Sequence, residues 1–574
     1  MCNGCPFLNI QVRPLARNNL DGHRGDAAIA RTDEMPPARA NATGPAPAQS
    51  QEPERMDISA LVAALPCKKA AILTLEDGAL VERAFTRLHA DCINARDMLR
   101  SWGISAGTRV GVYAPNSYLW LVYDLALIEI GAVSIAFTDD FRGQIDDVLL
   151  DRYDVGLLLT SKTVDIQFPA KPRHVAFLDS DEPQDHVQVR HPAPPQHEQD
   201  QLSWVFSSGS AGGLKGLVIS RLGVSEALPP ILEAVGMRKS DRLLLFLPMS
   251  NFQQRFLCYG ALWNDFDIIL TDYHQLFTAM TRAEPTVLLA PPIYYQMVHA
   301  EFLNQPGWKR AFPLAMGWLL SLLPLRQFRL AMARRLFAGF YQQFGGRIRL
   351  LVTGMAPMRS GVLDFFERMQ LPLSEAYGMV EAGVITYRPA HSGGAATVGR
   401  PLRGVELSVS EDGEVVVSRQ HPVTLRYFQC VDGENERTFL GPGRIATGDI
   451  GRIGPDGRLT LLGRKNELIV TPSGYKVHPE IIEHELNTCP DIANSVVFLD
   501  QAAQLRCIVS LNNPADEAAK NRVRRFALNL RTARNVTRHP GIVFSETPFT
   551  RENGMLRPNM KIDRKNIVAR YGAS

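Results

Sequence analysis

The sequence predicts an α/β protein with a large N-terminal domain and a small α+β C-terminal domain. The large domain is expected to hold mainly parallel α/β subdomains plus a β-rich subdomain. Three observations carry this. At 574 residues the chain exceeds the ~250–300 residues at which single cores stop growing. Strand-like apolar runs alternate with helical patterns over much of the chain, as βαβ units do. From about residue 400 the pattern changes to period-two runs around Asp-Gly turns.

The elements follow in order. Residues 1–58 are rich in Pro, Ala, Arg, Asn and Gln with little periodicity, and read as a disordered tail. "VERAFTRLHADCINARDMLRSWG" (81–103) steps its apolar residues by three and four and stops at Gly103, which predicts a helix. "TRVGVYAPN" (108–116) predicts a strand, and "LWLVYDLALIEIGAVSIAF" (119–137) a helix followed by a strand. "RLLLFLP" (242–248), "TVLLAPP" (286–292) and "RIRLLVTG" (347–354) predict further strands. "GVELSVSEDGEVVVS" (404–418) and "DIGRIGPDGRLTLLGR" (449–464) predict hairpins turning at Asp412-Gly413 and Asp456-Gly457. "HPEIIEHELN" then reads as helix and "NSVVFLD" as strand. This places the N-terminal domain at 59–462 and the C-terminal domain at 463–574.

Composition narrows the function. Net charge is +3, with 45% hydrophobic and 21% charged residues. That balance gives no electrostatic case for nucleic acid. The eight cysteines are scattered singly except for Cys2 and Cys5, which fits a reducing compartment. No run reaches the ~18–20 apolar residues of a membrane span, and the N-terminus lacks a signal-peptide core. A cytoplasmic protein is expected. The basic amphipathic stretch 326–344 leaves peripheral membrane association open beside a merely solvated basic face.

The chemistry begins at "SSGSAGGLKG", residues 207–216. Glycines let backbone N–H groups crowd a phosphate, serines add donors, and Lys215 adds charge. The loop is not a Walker A motif, because Leu214 precedes the lysine and no Ser or Thr follows it. Five later stretches complete an ordered set: "TGMAPM" (353–358), "AYGMVEAG" (376–383), "TGDIG" (447–451), "LLGRKNELIVTPSGYKVHPEIIEHEL" (461–486) and "ENGMLRPNMKIDRKNI" (552–567). Together they resemble the adenylate-forming (AMP-binding) superfamily over roughly residues 60–574. "LPMSNFQQR" (247–255) and the "LRPNMK" ending resemble its long-chain fatty acyl-CoA synthetase-like branch.

The resemblance implies a two-step reaction. A fatty carboxylate attacks ATP to give acyl-AMP, and a thiol then displaces AMP. It implies ATP, Mg²⁺ and CoA, or a phosphopantetheinyl acyl carrier protein in place of CoA. By the same resemblance, Lys215, Ser207, Ser208, Gly209, Ser210 and Gly212 would hold phosphates. Glu381 would ligate Mg²⁺. Gly354, Tyr377 and Gly378 would receive the base, and Asp449 and Arg464 the ribose. Lys561 would bridge the carboxylate and the α-phosphate. The C-terminal domain would swivel about Asn466 and bring Gly474 to the thiol tunnel.

Five positions depart from the superfamily pattern: Ala211, Leu214, Arg221, Val380 and Asn251. Each lost hydrogen bond at such a site is worth ~1–3 kcal/mol. An active but slower enzyme is expected, with a weakened or non-catalytic nucleotide-binding relative as the alternative. The apolar stretch 291–302 and the run to Leu325 read equally as an acyl channel or as ordinary core.

Overall fold

The computed structural model describes residues 56–574 apart from 165, 167, 169–171, 181, 191–199, 209–213, 304, 355–357, 372, 391, 393–396, 472–475, 501, 531–540, 551, 557–561 and 573–574. The expected tail therefore falls almost wholly outside the described residues. Met56 and Ile58 are already core.

Two sheets dominate. One has nine strands in the order Arg400–Pro401, Gly383–Arg388, Leu373–Met379, Leu350–Thr353, Val287–Ala290, Arg242–Leu245, Asp267–Leu270, Ala71–Glu76 and Ala79–Ala84. The other has seven, in the order Thr424–Gln429, Leu214–Ser220, Gln201–Ser208, Val133–Ala136, Arg109–Tyr113, Leu157–Thr160 and Val175–Phe177. Most inner pairings are parallel, as between Val287–Ala290 and Leu350–Thr353 or Arg109–Tyr113 and Val133–Ala136, while Leu373–Met379 with Gly383–Arg388 and Gln201–Ser208 with Leu214–Ser220 are antiparallel. Antiparallel strands close three of the four edges, and the parallel strand Val175–Phe177 closes the fourth. Short, fully buried strands such as "LLLT" (157–160) suit a parallel sheet covered on both faces.

One core joins both sheets through the helices Tyr118–Ile130, Arg221–Val235 and Phe252–Asn264. Tyr118–Ile130 is apolar nearly all round because nearly every residue in it is buried. Its one buried acid, Asp124, faces Arg255 at 3.3 Å and accepts from Tyr259 Oη at 2.6 Å.

The period-two region forms a five-stranded sheet over Glu406–Arg464, and both predicted hairpins are present. Gly413 and Gly457 take the positive φ their turns require (87° and 76°). A three-stranded sheet follows, Ile492–Leu499, Leu505–Leu511 and Gly541–Phe544, with helices Pro479–Leu486, Glu517–Ala527 and Arg564–Tyr571. Arg359 donates to the carbonyls of Ile492 and Ala493 and so ties this sheet to the earlier part of the chain.

Local pattern misled at two places. The helix expected over 81–103 begins only at Phe85. "ALVERA" (79–84) is instead an edge strand, because Ala71–Glu76 offers it a full antiparallel ladder. The basic helix expected over 326–344 divides at Phe337 into Arg326–Leu336 and Ala338–Gln342. The described cysteines 67, 92, 258, 430, 489 and 507 are free thiols. No helix among the described residues is long and apolar enough to cross a membrane.

Candidate active site

The glycine-rich stretch begins and ends in paired strands. Gln201–Ser208 runs antiparallel to Leu214–Ser220, with Ser207 opposite Lys215 and Ser208 opposite Leu214. Gly209, Ser210 and Gly212 lie outside the described residues, as do Gly474 and Lys561. A third strand, Thr424–Gln429, pairs with the outer side of Leu214–Ser220. That pairing sets the Lys215 ammonium 5.1 Å from the centre of the Tyr427 ring. The same ammonium meets Glu434 Oε1 at 2.5 Å.

Tyr427 also reaches Glu381. Its hydroxyl donates to Glu381 Oε1 at 2.6 Å, and Glu381 is only 7% exposed. The backbone is fixed as well, since Thr424 N donates to the Glu381 carbonyl at 3.1 Å. Burial first, and then the Glu381 carboxylate, push the Tyr427 phenol well above its ordinary range. The phenol therefore stays protonated and remains a donor. One tyrosine thus touches both charged residues that the resemblance gives to phosphate and metal. Sequence reading missed it, and missed Glu434, because neither belongs to a recognisable motif.

The second half of the site is a ladder. Asp449 and Arg464 sit opposite each other on adjacent antiparallel strands, Arg444–Ile453 and Leu459–Arg464. Arg464 Nε lies 2.9 Å from Asp449 Oδ1, and Tyr377 Oη donates to Oδ2 at 2.6 Å. These two donors hold the Asp449 carboxylate in one orientation. Gly354 and Gly378 carry no side chain for a steric reason. A Cβ on Gly354 would stand 2.8 Å from the Ala376 carbonyl oxygen, and one on Gly378 would stand 2.4 Å from that of Gly383. Asn466 lies exposed in the short helix Lys465–Glu467, directly after Arg464.

An apolar cavity adjoins this ladder. Gly354, Tyr377, Gly378 and Val380 form part of its wall. The rest comes from helices Arg221–Val235 and Phe252–Asn264, including Ile231, Phe256 and Leu257, and from Leu289 and Val352. The alternative channel, 291–302 and onward to Leu325, does not line it. Tyr295 and Phe302 there pack instead against Phe366 and Phe365 in a separate core.

Three of the departures have structural reasons. Arg221 is buried and donates to the carbonyls of Gln201, Ile128 and Ala132. Asn251 caps helix Phe252–Asn264 by accepting from Gln253 N at 3.1 Å. Val380 turns an apolar side chain to the cavity. Leu214 begins its strand, and Ala211 lies outside the described residues.

Among the described residues no cluster of three or more His, Cys, Asp or Glu is arranged to hold a metal. Magnesium asks for less: it keeps waters and substrate phosphates and takes only one or two carboxylates. Glu381 fits that requirement.

Known proteins resemble this chain in sequence and in fold. The family described as AMP-binding enzyme matches residues 63–422. A long-chain-fatty-acid–CoA ligase of Mycobacterium bovis is 25% identical over 552 residues, covering 84% of this chain and 91% of its own. Long-chain-fatty-acid–CoA ligase 5 of Mus musculus is 24% identical, covering 80% of this chain and 78% of its own. Among solved structures, the anthranilate CoA ligase AuaEII in complex with anthranoyl-AMP superposes with a TM-score of 0.67 at 17% identity, over 91% of this chain and 98% of its own. MatB of Rhodopseudomonas palustris with ATP bound gives 0.66 at 20% identity, over 89% and 98%. At these identities the structures establish the shared fold.

Proposed function

The chain belongs to the AMP-binding enzyme family, and from that premise we propose that it is an ATP-dependent acid–thiol ligase that loads a medium- or long-chain fatty acid onto CoA. The observation that supports it best is a shared wall. Gly354, Tyr377, Gly378 and Val380 line the apolar cavity, while Tyr377 is bonded to the Asp449–Arg464 pair. An acyl chain in the cavity would therefore end beside the polar ladder. The relatives named as long-chain-fatty-acid–CoA ligases support the same acid class.

In the first step the acid's carboxylate oxygen bonds to the α-phosphorus of ATP and pyrophosphate leaves. In the second a thiol sulfur bonds to the acyl carbon and AMP leaves. Neither step asks the protein for a covalent intermediate. It asks for positioning and charge neutralisation. Lys215 and the stretch that carries Ser207, Ser208, Gly209, Ser210 and Gly212 hold the β- and γ-phosphates in this reading. Glu381, oriented by Tyr427, would hold Mg²⁺, which would supply charge neutralisation to the phosphates. Asp449 accepts from the ribose hydroxyls, and Arg464 keeps it oriented and charged. Lys561 neutralises the reacting carboxylate and α-phosphate. Between the steps, residues 463–574 turn about Asn466, which exchanges Lys561 for the segment around Gly474 and the thiol arm.

The test is carboxylate-dependent exchange of labelled pyrophosphate into ATP across fatty acids of increasing length, followed by product analysis with CoA and with acyl carrier protein. Exchange that rises with chain length and yields acyl-CoA is expected. Absence of exchange with every acid overturns the ligase reading. A thioester formed on carrier protein alone overturns the choice of CoA. Full exchange by Lys561→Ala overturns the role given to that residue.

A further inference from the structure

We propose that the helical pair Gly307–Ser321 and Arg326–Leu336 docks on the surface of an anionic lipid bilayer. The two helices lie in the connection between strands Val287–Ala290 and Leu350–Thr353. Gly307–Ser321 presents its apolar residues to solvent. Trp308, Phe312 and Leu319 are 74%, 61% and 51% exposed, and they recur at four- and seven-residue steps. At about 100° per residue they fall on one stripe. Trp318 flanks it at 60%, and the chain beyond continues the apolar surface with Leu322 (60%), Leu325 (69%) and Phe328 (54%).

The opposite side of the helix is the one that packs. Gly317, half a turn from the stripe, is buried against the C-terminal end of helix Ser360–Arg368. A Cβ there would stand 2.2 Å from the Arg368 carbonyl oxygen. That contact fixes the helix's rotation and commits the apolar stripe to the outside. Two tryptophans, a phenylalanine and several leucines held outward by a buried glycine form a patch, not scattered exposure.

Charge selects the partner. Between Glu301 and Asp364 the sequence holds nine Lys or Arg and no Asp or Glu. Lys309, Arg334 and Arg335 are exposed on the helical pair itself. A second copy of the chain would set this cationic surface against another one. Anionic headgroups complement it, while tryptophans and leucines enter the interface beneath them. The proposal goes beyond the ligase reading and does not depend on it.

Co-sedimentation of the full chain tests it, using vesicles of phosphatidylcholine with phosphatidylglycerol against vesicles of phosphatidylcholine alone. Binding to the mixed vesicles is expected, weakening as salt is raised. The combined variant Trp308→Ser, Trp318→Ser, Leu322→Ser is expected to lose roughly tenfold or more of that partition. The variant Lys309→Gln, Arg335→Gln is expected to reduce the preference for the mixed vesicles. These side chains are exposed, so both variants should keep the parent melting temperature. Equal sedimentation with and without vesicles overturns the proposal, and so does undiminished binding by the serine variant. Self-association that the serine variant abolishes, without vesicle binding, assigns the face to protein contact instead.

Discussion

Lys215 Nζ and Glu434 Oε1 lie 2.5 Å apart, and each side chain is only 17% exposed. The ammonium proposed to clamp phosphate is thus already neutralised by a carboxylate. Bound ATP has to draw the lysine away from Glu434. Glu434→Gln removes the competitor and keeps the shape. Ion pairs near the surface are worth ~0.2–1 kcal/mol, so KM for ATP in the exchange assay should fall by roughly two- to fivefold. Lys215→Ala in the same assay should cost about 10²–10³ in rate, as loss of a charge-stabilising donor does. A rise in KM for the glutamine variant would show that Glu434 positions the lysine and does not compete for it.

Tyr427 holds Glu381 through a 2.6 Å hydrogen bond. Tyr427→Phe keeps the ring beside Lys215 and removes the donor. A hydrogen bond to a charged group is worth ~1.5–3 kcal/mol. The Mg²⁺ concentration for half-maximal exchange should therefore rise about tenfold or more, with the response to ATP at saturating Mg²⁺ little changed. If the Mg²⁺ dependence does not move, Glu381 does not depend on this bond for its orientation.

Leu257 lines the apolar cavity from helix Phe252–Asn264. Leu257→Trp fills part of it. Each methylene excluded from an apolar site is worth ~0.8 kcal/mol, close to fourfold. Exchange with the longest acids should fall by about that factor for each carbon displaced, while the shortest active acids are spared. An unchanged chain-length profile would place the acyl chain elsewhere.

Glu480 opens helix Pro479–Leu486, beside Gly463 near the end of strand Leu459–Arg464. Burial first, then Glu467 and Glu483, push its carboxyl up to about 7 from 4.5, against the pull of Arg564 and Arg464. The folded state therefore holds a proton that the unfolded chain releases. This stabilisation is complete below 4.5 and is lost as pH rises through about 7. Melting temperature should fall across that interval, and Glu480→Gln should flatten the fall. A parent-like slope in the variant would locate the titrating group elsewhere.

Much of the architecture was legible in local pattern. The Asp412-Gly413 and Asp456-Gly457 hairpins form where turn chemistry placed them, because a short turn with glycine at its left-handed position needs only its own residues. Lys215 and Arg464 stand at strand ends and Glu381 in a turn, while Tyr377 and Asp449 lie within strands. Gly354 and Gly378 were legible as glycines, although only packing shows the carbonyl oxygens that exclude a side chain there. Residues 79–84 misled because a helical spacing and an edge strand share the same few apolar positions, and the partner strand decided between them.

The sequence by itself determined the order of elements and the polar groups offered to a nucleotide, since periodicity and turn preference act over a few residues. Only the tertiary structure decided what those groups touch. Tyr427 meets Glu381 across a sequence separation of 46 and Lys215 across a paired strand. Arg221, a departure in the motif, became a clamp on three carbonyls. The apolar cavity lies between helices Arg221–Val235 and Phe252–Asn264 and not along 291–325. The stripe from Trp308 to Leu319 faces outward because Gly317 is pinned to Arg368. Each outcome depends on which distant surfaces pack together, and no local spacing encodes that choice.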